Sequence, residues 1–258
     1  MEDKIPIENI YYMLCYSWGY LKEKDIVNVN SISKKDLPNL FADILSNTLE
    51  KLIKMGFDRE YISEKDEIAT IRGKIDFQES TKKFSLHNAK AICEYDSLSH
   101  NILQNQIIKT TIYSLICSKL IEKEIEEKLI KVYRHFNEID SIDLNSLIFE
   151  RVRIHRNNSF YGFVINICEL IYQNVIIDET EGKKKFKDFY RDEKIMAMVF
   201  ENFVRNFYKK EQNQYKVRRE DINWNIEITE GSKEYLPKMQ TDITLENETA
   251  KIIIDTKY

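Results

Sequence analysis

Glycine occurs six times and proline three times in 258 residues. Average usage would supply about thirty of the two together in a chain of this size. These residues provide the positive φ angles and fixed kinks on which tight turns depend. A many-turned sandwich is therefore excluded, and a helix-rich protein is expected. With 43% apolar and 32% charged residues the chain is neither disordered nor collagen-like. Its length suits one or two domains, with a core large enough to need no disulfide or structural zinc.

Periodicity supports helices in most of the chain. Leu37, Leu40, Phe41, Ile44, Leu45, Leu49, Leu52 and Ile53 recur at helical spacing over 36–55, and Asp36 before Pro38 makes a helix start. Aromatic and apolar helices are expected within 5–21 and 160–175, and a longer helical region over 98–138. Residues 59–96 differ. IATIRGKIDF and AKAICEY are rich in β-branched and aromatic residues and read as strands with an exposed polar loop between them. EGKKKFKDFYRDEK at 181–194 reads as a linker. A helix over 195–211 follows, then three strands in KVRREDINWNIEI, KMQTDITL and AKIIIDTKY. The expected fold class is α+β. A helix-rich N-terminal part with a small β region spans 1–180, and an α/β part spans 181–258.

Cys15, Cys93, Cys117 and Cys168 form no CxxC pair and sit among apolar neighbours, so they read as free buried thiols of a reducing cytoplasm. His87, His100, His135 and His155 lack metal-ligand spacing. Residues 1–8 are charged and lack the apolar core of a signal peptide, and no apolar run approaches a membrane span.

The stretch with chemical content is LPKMQTDITLENETAKIIIDTKY. Asp242 opens one strand, ENET turns, and Asp255 and Lys257 close the next. Alternation puts Asp255 and Lys257 on one face, and a tight hairpin sets Asp242 beside or diagonal to Asp255. Two converging carboxylates suit Mg²⁺, which takes one or two of them and keeps waters and room for a phosphate oxygen. A neighbouring lysine can orient an attacking water and stabilise charge on the phosphate. The plain alternative is an edge hairpin with ordinary charges. Against it, IIID is an apolar run of the kind a buried strand shows, yet it ends in a carboxylate. Glu201 lies on the preceding helix between Phe200 and Phe203. Two readings stand for it: a third metal ligand, or an ordinary helix charge, exposed or paired with Arg205 at i,i+4.

The net charge of −4 excludes a uniformly basic nucleic-acid binder. Its distribution is uneven, however. Residues 183–219 hold twelve Lys or Arg and five Asp or Glu, interspersed with Tyr190, Phe207, Tyr208 and Tyr215. Such a stretch can contact phosphates without reading sequence, or it can be a solvated linker and helix face.

These segments together resemble the McrC family, the nuclease subunits of McrBC modified-cytosine restriction systems. The resemblance spans the whole chain. It rests on IPIENIYYMLCYSWGYL at 5–21, IRGKIDF at 71–77, CEYDSLSHNILQNQIIKTTI at 93–112, FKDFYRDEKIMAMVFENFVRNFYKKE at 186–211 and PKMQTDITL…IIIDTKY at 237–258. It implies a PD-(D/E)xK nuclease core using Mg²⁺, with Asp242, Asp255 and Lys257 on the catalytic positions. It also implies that the N-terminal part docks on a hexameric McrB-like AAA+ GTPase and stimulates GTP hydrolysis. The partner would bind GTP and recognise methylated cytosine in double-stranded DNA. In agreement, the chain has no GxxxxGK[ST] phosphate loop.

The chain departs from the family pattern at its C-terminus. The family continues past the Asp-x-Lys strand with further strands and a helix carrying a Gln-x-x-x-Tyr element, which are absent before Tyr258. The resemblance therefore implies an incomplete PD-(D/E)xK core in this chain. Two functions follow as expectations: an endonuclease subunit, or a truncated, inactive adaptor that only docks on the GTPase and stimulates it.

Overall fold

A computed structural model describes residues 7–20, 36–155, 158–177, 184–186, 193–222, 237 and 239–257. In chain order the elements are α1 (Ile7–Ser17), α2 (Leu37–Met55), β1 (Glu60–Ile68), β2 (Lys74–Ile75), α3 (Phe77–Lys82), β3 (Ala91–Ser99), α4 (Leu103–Ser118), α5 (Lys123–Tyr133), α6 (Ser146–Arg151) and α7 (Ser159–Asn174). There follow β4 (Val175–Ile177), β5 (Lys184–Phe186), α8 (Glu193–Glu211), β6 (Lys216–Arg218), β7 (Asp221–Ile222), β8 (Met239–Gln240), β9 (Ile243–Glu246) and β10 (Lys251–Ile254). Helices with small antiparallel sheets make this an α+β protein, the class expected from the pattern of segments along the chain. No described helix is long and apolar enough to cross a membrane.

The chain divides into two compact units. One joins Met1–Ile44 to Gln173–Tyr258, and the other is Leu45–Tyr172. This partition differs from the functional division at 180, which falls outside the described residues. So does much of the expected 181–194 linker. Its described part is not all linker, because Lys184–Phe186 pairs antiparallel with Val175–Ile177.

In the unit Leu45–Tyr172, the core is built by helical stripes. Ile107, Ile108, Ile112 and Leu115 of α4, Ile125 and Leu129 of α5, and Phe163, Val164 and Ile167 of α7 are all buried. α2 enters this unit after its start in the other one. Asp36 Oδ1 accepts from the Asn39 amide (3.2 Å) and carboxamide (2.7 Å), which makes it the expected cap. A polar hub is also buried here. The Tyr161 hydroxyl donates to Asn105 Oδ1 (2.9 Å) and accepts from the Asp58 amide (2.7 Å), while Asn105 Nδ2 donates to the carbonyls of Asp58 and His100. Burial pushes the Tyr161 phenol well above its ordinary pKa.

The β region of this unit is a sheet of order β1-β3-β2, with all nine residues of β1 paired to β3. The strand at 60–68 has no clean alternation of apolar residues, and strand structure expected across 68–77 is confined to Ile68 and Lys74–Ile75. α3 and a 3-10 turn at Ser85–Asn88 replace the expected polar loop. β3 also runs to Ser99, so α4 starts later than the expected helix. Gly73 lies at φ +60°, and a Cβ there would sit 2.2 Å from the Glu94 carbonyl oxygen. Close passage of the chain over β3 requires glycine at this point.

In the other unit, α1 packs on α8. α1 ends in a Schellman motif at Gly19 (φ +76°), with Tyr20 N donating to Cys15 O and Gly19 N to Tyr16 O. The Asn206 carboxamide of α8 donates to the Tyr16 and Ser17 carbonyls at 2.9 and 3.1 Å. Tyr16 also stacks edge-on against Phe203 and donates its hydroxyl to Glu211 at 2.8 Å. Cys15, Cys93 and Cys168 are free and buried as expected, whereas Cys117 is exposed. It lies one turn beyond the exposed Tyr113 on α4 and so on that helix's outer face.

Candidate active-site hairpin

Two short antiparallel sheets carry the candidate residues. One has the order β10-β9-β6, and the other pairs β7 with β8. The first two of the three expected strands are thus interrupted, and residues 223–228 of the first lie outside those described. The interruptions face each other. Thr241 N donates to Glu220 O (2.9 Å) and Glu220 N to Thr241 Oγ1 (3.0 Å), so the two chains stay bonded across the break. Asp242 sits at this break, where departure from regular pleating re-aims a side chain.

The β9–β10 hairpin forms as expected. Its loop is closed by Asn247, whose Oδ1 accepts from the amides of Thr249 and Ala250. The pairs run from Lys251↔Glu246 to Ile254↔Ile243. Asp255 and Asp242 are the next residues on each side, so both carboxylates stand at the same end of the hairpin. Asp242 Oδ2 accepts from the amide and the hydroxyl of Thr256, each at 2.8 Å. Asp255 and Lys257 are exposed. The apolar run before Asp255 is not buried as expected: Ile253 is 56% exposed and Ile252 43%. β10 is the edge strand of its sheet, and because Ile252 and Ile253 project to opposite faces, neither face is fully covered there among the described residues.

Glu201 lies on α8 and forms the i,i+4 pair with Arg205, one of the readings open to it. Its Oε1 accepts from Arg205 at 3.1 Å and also meets Arg219 at 2.6 Å, and the glutamate side chain is 18% exposed. Arg219 belongs to the break between β6 and β7, so Glu201 ties α8 to the segment that holds Thr241. Among the described residues no group of three His, Cys, Asp or Glu is placed to hold a metal.

Three arginines of the described part of the basic stretch are paired with carboxylates. Arg205 and Arg219 pair with Glu201, and Arg218 pairs with Glu246 (2.7 Å) and Glu220 (3.4 Å). Lys209, Lys210 and Lys216 are exposed. Tyr190 and residues 187–192 lie outside the described set. Glu220 in turn holds Lys251 at 2.7 Å. The hydrogen bond from Lys251 keeps the Glu220 carboxyl below its ordinary pKa, and the charge of Arg218 adds to this. Sequence reasoning missed Thr241, Thr256 and Arg219. The threonines read as ordinary strand formers, and the arginine as one more charge in a basic run.

Over residues 4–258 the chain matches the family described as "McrBC 5-methylcytosine restriction system component". It belongs to that family. An Escherichia coli relative, the type IV methyl-directed restriction enzyme EcoKMcrBC, is 31% identical over 255 residues, which are 98% of this chain and 73% of the relative. The McrBC fold is also found in solved structures from Thermococcus gammatolerans. A chain in a half-complex of McrB AAA+ hexamers with bound McrC aligns with a TM-score of 0.64 at 17% identity, covering 98% of this chain and 56% of that one. A chain in the McrBC complex aligns with a TM-score of 0.58 at 20% identity, covering 82% and 61%. This chain therefore spans little more than half the length of those McrBC chains.

Proposed function

We propose that this chain is the endonuclease subunit of a GTP-dependent complex that restricts DNA containing modified cytosine. The observation that carries the reading is the hairpin register, which stands Asp242 and Asp255 at one end of β9–β10 in a member of the McrBC family. In this reading 181–258 contributes the first part of a PD-(D/E)xK core and 1–180 the docking part.

Asp242 and Asp255 fit Mg²⁺ by donor chemistry, since this hard cation takes oxygen ligands from one or two carboxylates. Two guanidiniums hold Oε1 of Glu201, which favours an ion-pair role over that of a third metal ligand. We assign it the ion-pair role. When bound, the ion supplies Lewis-acid polarisation of the phosphate and an activated water for in-line displacement. Lys257 orients the attacking water and balances charge building on the phosphate. The exposed Lys209, Lys210 and Lys216 contact phosphates without reading bases. Base recognition and GTP binding belong to an McrB-like AAA+ hexamer.

The test is cleavage of plasmid carrying 5-methylcytosine by the complex with that GTPase, GTP and Mg²⁺. Asp255→Ala abolishes cutting and leaves partner binding intact. Cutting by that variant at the normal rate rules out the site.

An adaptor reading has its own support in the unit Leu45–Tyr172. Ile71, Phe77, Phe84 and Leu86, within the β2–α3 region, are exposed, Phe84 by 67%. Apolar residues concentrated there suit a protein surface as partner. Phe77→Asp with Phe84→Asp in the whole chain lowers stimulation of the partner's GTPase. Unchanged stimulation excludes this region as the docking surface.

A further inference from the structure

Asp242 is held by one residue in two ways. Its Oδ2 accepts both the amide N–H and the hydroxyl of Thr256, each at 2.8 Å. The break at 241–242 gives this aspartate no ladder position of its own, since β8 ends at Gln240 and β9 begins at Ile243. Two donors converging on one oxygen fix the plane of the carboxylate as well as its position. They also occupy Oδ2 and leave the lone pairs of Oδ1 to face a ligand. Thr256 is itself between Asp255 and Lys257, so the clamp ties the end of one strand to the break in the other. Threonine suits this, because β-branching restricts χ1 and keeps the hydroxyl from turning away.

We propose that Thr256 is a positioning residue that aims Oδ1 of Asp242 at the divalent cation. This rests on the nuclease reading above. Hydrogen bonds to a ligating carboxylate fix its orientation, and losing such a partner typically weakens metal affinity or activity by about 10–100-fold.

Thr256→Val removes the hydroxyl at nearly constant volume and leaves the amide bond in place. Mg²⁺ and Mn²⁺ binding to the whole chain is measured by calorimetry, and the Mg²⁺ midpoint of cleavage is measured in the complex with the GTPase. The valine variant raises both the dissociation constant and the cleavage midpoint by about tenfold or more, and Thr256→Ser restores them. Thermal unfolding checks that the variants are folded. If valine is not accommodated, Thr256→Ala removes the same hydroxyl without adding a methyl group, and it carries the same expectation. Unchanged metal binding and midpoint in the folded hydroxyl-free variant overturn the proposal. Asp242→Asn separates the two levels. If it abolishes binding while Thr256→Val does nothing, only the positioning role is wrong. If it binds metal like the parent, the metal-site reading falls and the positioning role with it.

Discussion

Asn206 donates its side-chain N–H to the main-chain carbonyl of Tyr16 at 2.9 Å, across 190 residues of sequence. A second bond reaches Ser17 O at 3.1 Å, so one carboxamide closes the C-terminal end of α1 that Gly19 leaves partly open. The first helix of the chain is thereby part of the unit that carries the candidate active site.

Asn206→Ala removes both bonds from a partly buried position. We expect a loss of about 1–3 kcal/mol, read as a lower urea midpoint. Hydrogen exchange should speed up in α1 and α8 before it does in α4.

Gly73→Ala places a Cβ 2.2 Å from the Glu94 carbonyl and 2.8 Å from the Tyr95 Cβ, at φ +60°. The obstacle is backbone, so no rotamer relieves it. The expected outcome is loss of β2–β3 pairing, seen as exchange of the Lys74 and Ile75 amides, with α4 and α5 unaffected.

Tyr161→Phe leaves the Asp58 amide and Asn105 Oδ1 without their phenol partner inside the unit Leu45–Tyr172. Stranding buried polar groups costs about 1–3 kcal/mol. Chemical denaturation measures the loss, and proteolysis near residue 58 should increase.

Glu220 gives a pH signature. Its folded pKa is held below the ordinary value of 4.5 by Lys251. The unfolded chain therefore binds the proton more readily, and this contribution to stability is present above 4.5 and is lost as pH falls through the folded value. Lys251→Met removes this contribution, so it lowers stability above about pH 4.5 and converges on the parent as pH falls, which flattens the acid limb. Urea midpoints compared between about pH 5 and about pH 3 check this.

Glu201→Gln separates the two roles open to that residue. As an ion-pair partner it supports Arg205 and Arg219, and its loss costs about 1–2 kcal/mol, discounted because the Arg219 side chain is 43% exposed. The Mg²⁺ midpoint of cleavage should stay within about twofold, since a lost metal ligand or outer-shell partner shifts it by about 10–100-fold.

The helices were legible where burial is one-sided and local. α2 shows this, with its Asp36 cap and regular apolar stripe. The β9–β10 hairpin was legible too, because its turn and its strands are contiguous. The strand at 60–68 was not, since EYISEKDEI pairs along its full length with β3 while most of its side chains face solvent. The exposure of β10 was equally hidden, because three isoleucines in a row read the same whether or not the faces of the strand are covered. At the candidate site the carboxylates were visible from residue type and spacing. The Thr256 clamp and the Glu201–Arg219 contact depend on where the strands break, and no local pattern announces that.

The Asn206–Tyr16 contact also sets an order of events during synthesis. At about 5–20 residues per second, α8 emerges roughly 10–40 seconds after α1. An eleven-residue helix is marginal alone, and its packing on α8 is not available in that interval. The unit Leu45–Tyr172 is contiguous and can close first. α1 then waits for α8, which leaves nascent residues 7–17 open to chaperone capture or misassociation between ribosomes.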